Sequence, residues 1–317
     1  MSDHLAPLPA VVALGGGHGL SATLTALRRL TDRVTAVVTV ADDGGSSGRL
    51  RQELDCLPPG DLRMALAALC SDDREGRLWA DVLQSRFEGT GPLAGHAIGN
   101  LLIAGLWQRL GDPVEGLDMV AQLLRTRGRV LPMSAVPLTI EADVVGLLPQ
   151  APDEGSVVRG QATVAKTPGQ VLHVRLDPTR PPAHPASIAA VQAADFVVLG
   201  PGSWFTSVIP HLLVPELEEA IITAPGKRVL ILNLVPAAET AGFTPSAHLD
   251  VLAEHAPRLR LDHIIADERF VAHDRHLQCF SESLGARLHV ARLGARDGSA
   301  RHDPLLLASS LAEVFGV

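Results

Sequence analysis

Two kinds of apolar pattern alternate along the chain. Short, unbroken, β-branched runs are followed by segments in which leucines recur at helical spacing. Val11-Val12-Ala13-Leu14 is the first such run and ends in Gly15-Gly16-Gly17. Leu20, Leu24, Leu27 and Leu30 then mark a helix, and Val34 to Val40 a second strand. A run apolar on both sides suits a strand buried in a parallel sheet. Strand, glycine loop, helix and strand within about 30 residues make a βαβ unit.

Pro59 to Arg125 reads as mostly helical, with breaks at Pro59-Gly60-Asp61, Gly95 and Asp112-Pro113. The most apolar stretch, Ala97 to Trp107, predicts a helix buried on nearly all faces; it is too short to span a bilayer. Around Val136–Ile140, Val157–Val164 and Val171–Val174 apolar residues alternate with polar ones. This predicts an antiparallel, β-rich excursion at about 130–180 inside one domain spanning 1–317. The strand–helix rhythm resumes at Asp195–Leu199, Arg228–Leu232, Leu261–Ala266 and Leu288–Val290, with a last helix near Pro304 to Phe315. The predicted class is α/β: a doubly wound, mostly parallel, Rossmann-like sheet.

Composition narrows the partners. The 317 residues carry a formal charge of −8, and aromatics are only 3%. No basic tract interleaved with aromatics appears, which argues against a nucleic-acid groove. Cys56, Cys70 and Cys279 form no CxxC, which suits a reducing, cytoplasmic protein and disfavours a zinc site. Met1-Ser2-Asp3-His4 lacks a basic secretory n-region, and no membrane insertion is expected.

The candidate chemistry lies at strand ends. Gly16, Gly17, His18 and Gly19 open the first helix; with Ala22 they satisfy a G-x-G-x-x-G/A pattern. Bare backbone there admits a phosphate to the helix N-terminus, although a tight strand-to-helix turn needs the same glycines. Asp42-Asp43-Gly44-Gly45-Ser46-Ser47-Gly48-Arg49 follows the second strand. Its paired carboxylates could bind ribose hydroxyls or a Mg²⁺ ion, and Arg49 could clamp an anion. Asp61 and Arg63 sit at a helix start, either as site residues or as a cap and ion pair. His96 and Asn100 share a face of an apolar segment and need partners there, in the core or on a ligand. Gly200, Pro201, Gly202, Ser203 and Thr206 repeat the first loop's arrangement, and Asn233 ends another strand as a reader of base or sugar hydroxyls. Two phosphate-friendly strand ends in one sheet suggest a diphosphate or dinucleotide across a switch point. No nucleophile elbow and no P-loop lysine is present.

At these residues the chain resembles the bacterial gluconeogenesis factor family, relatives of 2-phospho-L-lactate transferase. Ala41 to Arg51 carries that family's hallmark. Gly15 to Leu20, Pro59-Gly60-Asp61, Gly95-His96 with Gly99-Asn100, Gly200 to Ser203 and Asn233 match in order. The resemblance implies a cytoplasmic binder of uridine-diphosphate sugars, notably UDP-N-acetylglucosamine, that regulates carbon metabolism, cell shape and envelope synthesis. The competing reading is a Mg²⁺-dependent transferase using a nucleotide-activated phospho donor; a nicotinamide-linked oxidoreductase rests on the glycine pattern alone. Self-association into a homo-oligomer is also expected. Phe243 stands where the family has a ligand-contacting tyrosine, and Met64 where it has an asparagine. Stacking survives the first change; a phenolic hydrogen bond does not.

Overall fold

The computed structural model describes residues 7–148, 150–151 and 153–317. Its main layer is a seven-stranded sheet built from β1 (Val11–Gly15), β2 (Val34–Val38), β3 (Arg129–Pro132), β7 (Phe196–Leu199), β8 (Lys227–Ile231), β9 (His263–Asp267) and β10 (Arg287–Ala291). Their order is β10-β9-β8-β7-β1-β2-β3. Every pairing in this sheet is parallel. The chain builds outward from β1 in one direction, then crosses to β7 and builds outward in the other. The order therefore reverses between β1 and β7, and a crevice opens there at the strands' carboxyl ends.

The apolar runs form strands because helices cover both faces. All five residues of β1 are buried, as are all four of β7. Leu20, Leu24 and Leu27 of the helix Gly17–Leu27 pack into the same core. The last helix, Pro304–Phe315, begins where Asp303 accepts the Leu305 N–H at 2.8 Å, with proline in the first turn.

The excursion is a separate three-stranded sheet, ordered β5-β4-β6, of β4 (Thr139–Val145), β5 (Ser156–Arg159) and β6 (Gln170–Asp177). Both pairings are antiparallel. Three details differ from the expectation. Residues 129–132, at the start of the expected β-rich segment, join the main sheet as β3. Gln161–Val164, expected in a strand, is one short helical turn. The helix Ile98–Leu110 buries one stripe, Gly99, Asn100, Ile103, Ala104 and Trp107, and leaves Gly105 exposed. Leu101, Leu102, Leu106 and Leu110 are only half-buried, so apolarity alone overstates its burial.

Among the described residues no helix is long and apolar enough to cross a membrane.

Candidate functional site

The loops after β1, β2, β7, β8 and β10 converge on the crevice. The two glycine loops meet there directly. A Cβ on Gly19 would lie 1.9 Å from the Pro201 carbonyl oxygen, so Gly19 serves loop-to-loop contact. Gly16 is equally confined: a Cβ there would lie 2.5 Å from Thr39 Cγ2 and 2.6 Å from Asp61 Oδ2. Gly17 takes φ +57°, the left-handed region that glycine tolerates. Gly200 packs on the Leu14 carbonyl and Thr23, and Gly202 on Ser207.

Asn233 is committed to this junction. Its Oδ1 accepts the Gly202 N–H at 2.8 Å and its Nδ2 donates to the Gly202 carbonyl at 2.8 Å. The side chain expected to read a ligand instead clamps a loop. Asn233→Ala leaves both Gly202 groups unpaired, at a cost of about 2 kcal/mol. A denaturant midpoint equal to that of the parent protein would contradict the clamp.

Beside the junction lies a cleft of about 640 Å³. His18, Gly19, Ser21, Ala22 and Thr25 form one side, and Pro201, Gly202 and Asn233 the floor. Leu234 to Ala237 and the hairpin segment Ala300 to Pro304 close the other side. The hairpin starts where Asp267, at the end of β9, accepts the Leu293 and Gly294 N–H groups at 2.7 and 3.1 Å. It returns through the Ala295 N–H to the Arg301 carbonyl at 2.9 Å. Exposed Arg301 brings a cation to the cleft, and burial pushes the His302 imidazole down to about 4, keeping it neutral. Nothing local in the sequence marks this wall; the sheet order brings it to the first glycine loop.

The other side of Gly16 and Gly17 is polar. Burial, reinforced by the neighbouring Asp42, pushes the Asp61 carboxyl up to about 7, while the Gly17 N–H and Arg63 oppose the shift. Asp42 Oδ1 accepts the Gly44 N–H at 2.9 Å, and its Oδ2 would lie 2.7 Å from a Cβ on Gly60. Thr39, which packs its Cγ2 against Gly16, has a buried Oγ1 without a hydrogen-bond partner. Asp43 points elsewhere: its Oδ1 accepts the Ala162 N–H at 2.9 Å and holds the excursion's helical turn against the site. The two acids that the sequence suggested as a joint Mg²⁺ site thus diverge, and the carboxylate beside Asp42 is Asp61. Among the described residues no cluster of three or more His, Cys, Asp or Glu has metal-binding geometry.

Ser46, Ser47, His96 and Asn100 form a buried knot. Ser46 Oγ receives the Asn100 Nδ2 at 3.0 Å and the Ala97 N–H at 3.3 Å. Its own proton therefore goes to His96 Nδ1, 3.0 Å away. That assigns the Nε2–H tautomer to His96, inferred from the network. Burial first, then Arg49, lowers the His96 basicity, in keeping with a neutral ring. Arg49 itself donates to the carbonyls of Ala94 and Pro92 at 3.1 and 3.3 Å, pinning the hairpin that carries His96. Arg63 is buried and donates to the Leu83 carbonyl at 3.3 Å and to Gln84. Both arginines support the frame.

Ser203 and Thr206 border a carboxylate that the sequence reading passed over. Buried Glu239 accepts the Phe205 N–H at 2.9 Å, so the turn Trp204–Val208 begins on the chain's own anion. Burial raises the Glu239 carboxyl, and Ser203 and the Phe205 N–H pull it back. Phe243 packs edge-on against Phe205 and His248, at ring distances of 6.3 and 5.4 Å, and is not among the residues lining the cleft.

The sequence model of 2-phospho-L-lactate transferase CofD matches residues 11–287, which includes both glycine loops and the Asp42–Arg49 motif. The chain belongs to the CofD family. A Mycobacterium tuberculosis relative, named provisionally as a gluconeogenesis factor, is 57% identical over 95% of this chain and 89% of its own length. The gluconeogenesis factor of Listeria monocytogenes is 34% identical, covering 96% of this chain and 94% of its own. A crystal structure of a UPF0052 family member from Bacillus halodurans superposes with a TM-score of 0.82 at 34% identity. It covers 95% of this chain and 98% of that one. The superposition extends the shared α/β fold over most of both chains.

Proposed function

We propose that this CofD-family protein is a cytoplasmic binder of UDP-sugars, UDP-N-acetylglucosamine first among them, acting as a regulator of carbon metabolism, cell shape and envelope synthesis. The observation that carries the reading is the cleft itself. It is largely apolar, sized for a nucleoside and bordered by His18 and Gly19 of the first glycine loop, and a Cβ on the neighbouring Gly17 would lie 4.0 Å from Asp61 Oδ1, at the start of the polar side. A two-ended ligand with a flat base, a diphosphate and a hydroxyl-rich sugar matches that sequence of surfaces. Arg301 and the His18 and Gly19 N–H groups, which precede the first intrahelical bond, would meet the diphosphate.

A divalent cation fits the same frame. Asp42 and Asp61 are close enough for the charge of one to raise the other, and Thr39, whose hydroxyl is unpartnered, packs with Asp61 against Gly16. That oxygen-only set suits Mg²⁺ completed by waters and phosphate oxygens. The ion would neutralise the ligand's charge next to two carboxylates that otherwise repel it.

Asp42 and Asp61 also favour a second reading, a Mg²⁺-dependent transferase that moves a phospho group from a nucleotide-activated donor. The regulator reading is preferred because the motifs supply ligands for phosphate and hydroxyl groups, while His96, one of their two neutral-pH proton carriers, is already engaged with Ser46 Oγ at 3.0 Å. Calorimetric titration with UDP-N-acetylglucosamine, UDP-glucose, GDP and NAD, with and without Mg²⁺, tests the proposal. Tightest binding of UDP-N-acetylglucosamine, with the nucleotide recovered intact, is expected. Preference for NAD, or release of UDP or UMP that disappears in Asp42→Ala, would overturn it.

A further inference from the structure

The two edge strands of the main sheet end differently. At β3 the Met133 N–H reaches the Val38 carbonyl at 2.8 Å, on the β2 side, so Val130 and Pro132 face outward. Pro132 has no N–H to offer, and its carbonyl accepts the Ser187 hydroxyl at 2.8 Å. Val130, Leu131 and Pro132 are buried. That edge is closed.

β10, at the opposite end, is open. The Arg287 N–H reaches the Asp262 carbonyl at 2.9 Å and the Leu293 N–H reaches Asp267 at 2.7 Å, both on the β9 side. Alternate residues of a parallel strand bond to the same neighbour. Leu288, Val290 and Arg292 therefore turn their N–H and C=O groups away from β9, and no strand lies beyond β10 in the sheet. Among the described residues no backbone group bonds to them from that side. Val290 is 49% exposed, and Arg287 and Arg292 are exposed as well. From Leu288 to Arg292 the open edge runs about 13 Å, enough for a short paired strand.

Charge decides what can pair there. Between Glu282 and Asp297 the chain has no acidic residue, yet it carries Arg287, His289, Arg292 and Arg296. Among the described residues none of these arginines forms an ion pair. The acids around the strand are engaged elsewhere. Asp262 holds Arg228, Asp297 holds Ser299 and Arg301, Glu282 accepts from Gln278, and Glu313 acts on His289 from the last helix. A second copy of β10, paired antiparallel, would gather the Arg287 and Arg292 of both chains on one ribbon with no acid between them. Such an edge resists self-pairing. A segment rich in Asp and Glu meets it with the opposite sign.

From the open Leu288–Arg292 edge and its unpaired arginines, we propose that β10 docks an acidic, extended segment of a partner protein, added to the sheet as a further strand. Main-chain hydrogen bonds to Leu288, Val290 and Arg292 provide the pairing, and Arg287 and Arg292 select for carboxylates. The proposal does not rest on a nucleotide in the cleft.

The test uses an end-blocked, fluorescent peptide of alternating glutamate and valine, titrated with the full chain and read by anisotropy and by backbone-amide NMR. One control peptide carries lysine in place of glutamate. A second keeps the glutamates but is N-methylated on alternate amides, so it retains the charge and cannot pair. The acidic peptide should bind at micromolar concentration and shift the Leu288, Val290 and Arg292 amides more than those of Arg287 and His289. Both controls should bind roughly tenfold more weakly or worse. Val290→Pro removes one outward N–H, which an edge strand tolerates, and should weaken the acidic peptide by a similar factor with the rest of the amide spectrum unchanged. The double variant Arg287→Glu, Arg292→Glu leaves the backbone edge intact and should turn the preference to the lysine peptide; it decides the matter alone if Val290→Pro does not fold. Equal binding of the methylated peptide would reduce the effect to charge attraction and overturn the proposal. So would unshifted β10 amides at millimolar peptide, or a dimer in sedimentation that Val290→Pro dissociates, which would make a second copy the occupant.

Discussion

Gly19→Ala is expected to lower Tm by 5 °C or more, on the order of 3 kcal/mol, and to abolish ligand binding. The new Cβ would lie 1.9 Å from the Pro201 oxygen, 2.5 Å from its carbonyl carbon and 2.9 Å from Gly202 Cα. All three are backbone atoms, so no rotamer change relieves the overlap. The loops must separate, and with them the floor and one side of the cleft. The Asn233 clamp on Gly202 opposes that movement. Gly105→Ala is the matched control. Gly105 is an exposed helical residue with nothing within 4 Å of a new Cβ, so this change should be neutral or stabilising by about 0.5 kcal/mol. Equal melting of the two variants would show that the glycine loops do not pack as described.

The second large effect is a dependence on pH. Burial and Asp42 push the Asp61 carboxyl from its ordinary 3.8 up to about 7. Below pH about 4 the group is protonated in the folded and unfolded chains alike. Between about 4 and about 7 the folded chain keeps a proton that the unfolded chain releases, so this group's contribution to stability falls as pH rises. Above about 7 both are ionised and the loss is complete. Asp61→Asn keeps an acceptor for the Gly17 N–H and removes the titration. The variant should match the parent near pH 4 and exceed it at pH 8 by on the order of 2 kcal/mol, a figure reduced for partial solvent contact. It should also lose whatever part of nucleotide affinity depends on Mg²⁺. A variant that is less stable than the parent at pH 8 would contradict the buried acid.

How much of this was written in the residues varies with length scale. The strands of the main sheet follow from runs such as Val11–Leu14 and Phe196–Leu199, where burial on both faces demands continuous apolarity. The excursion was harder to bound. Glu141 and Asp143 interrupt the apolar residues of β4, yet they are the outward half of its alternation. There Glu141 pairs with Arg159 and Arg175, at 2.7 and 2.9 Å. Those ion pairs cross strands 18 and 34 positions apart, which no local window reveals.

The site was legible as a set of loops rather than as a set of roles. A glycine that admits a phosphate and a glycine that admits another loop look alike in sequence; Gly19 and Gly45 separate only in three dimensions. Arg49, Arg63, Asp43 and Asn233 carry the groups expected of ligand contacts, but each is spent on backbone of this chain. Glu239 and the wall at Ala300 to Pro304 escaped notice because no spacing rule links them to the first loop. Their positions depend on strand order and on a return hairpin held by Asp267.

The central claim is that the nucleotide end of a UDP-sugar occupies the cleft between the first glycine loop and this hairpin. Its most direct test is an isothermal titration of UDP-N-acetylglucosamine into the parent protein and into Ala300→Trp. Ala300 is exposed and lines the cleft, so the indole would fill the nucleoside's space without entering the core. The account predicts saturable binding to the parent and at least a tenfold loss in the variant, about 1.4 kcal/mol, with the two unliganded proteins melting together. Equal affinity in both, or no binding to a folded parent, would contradict it.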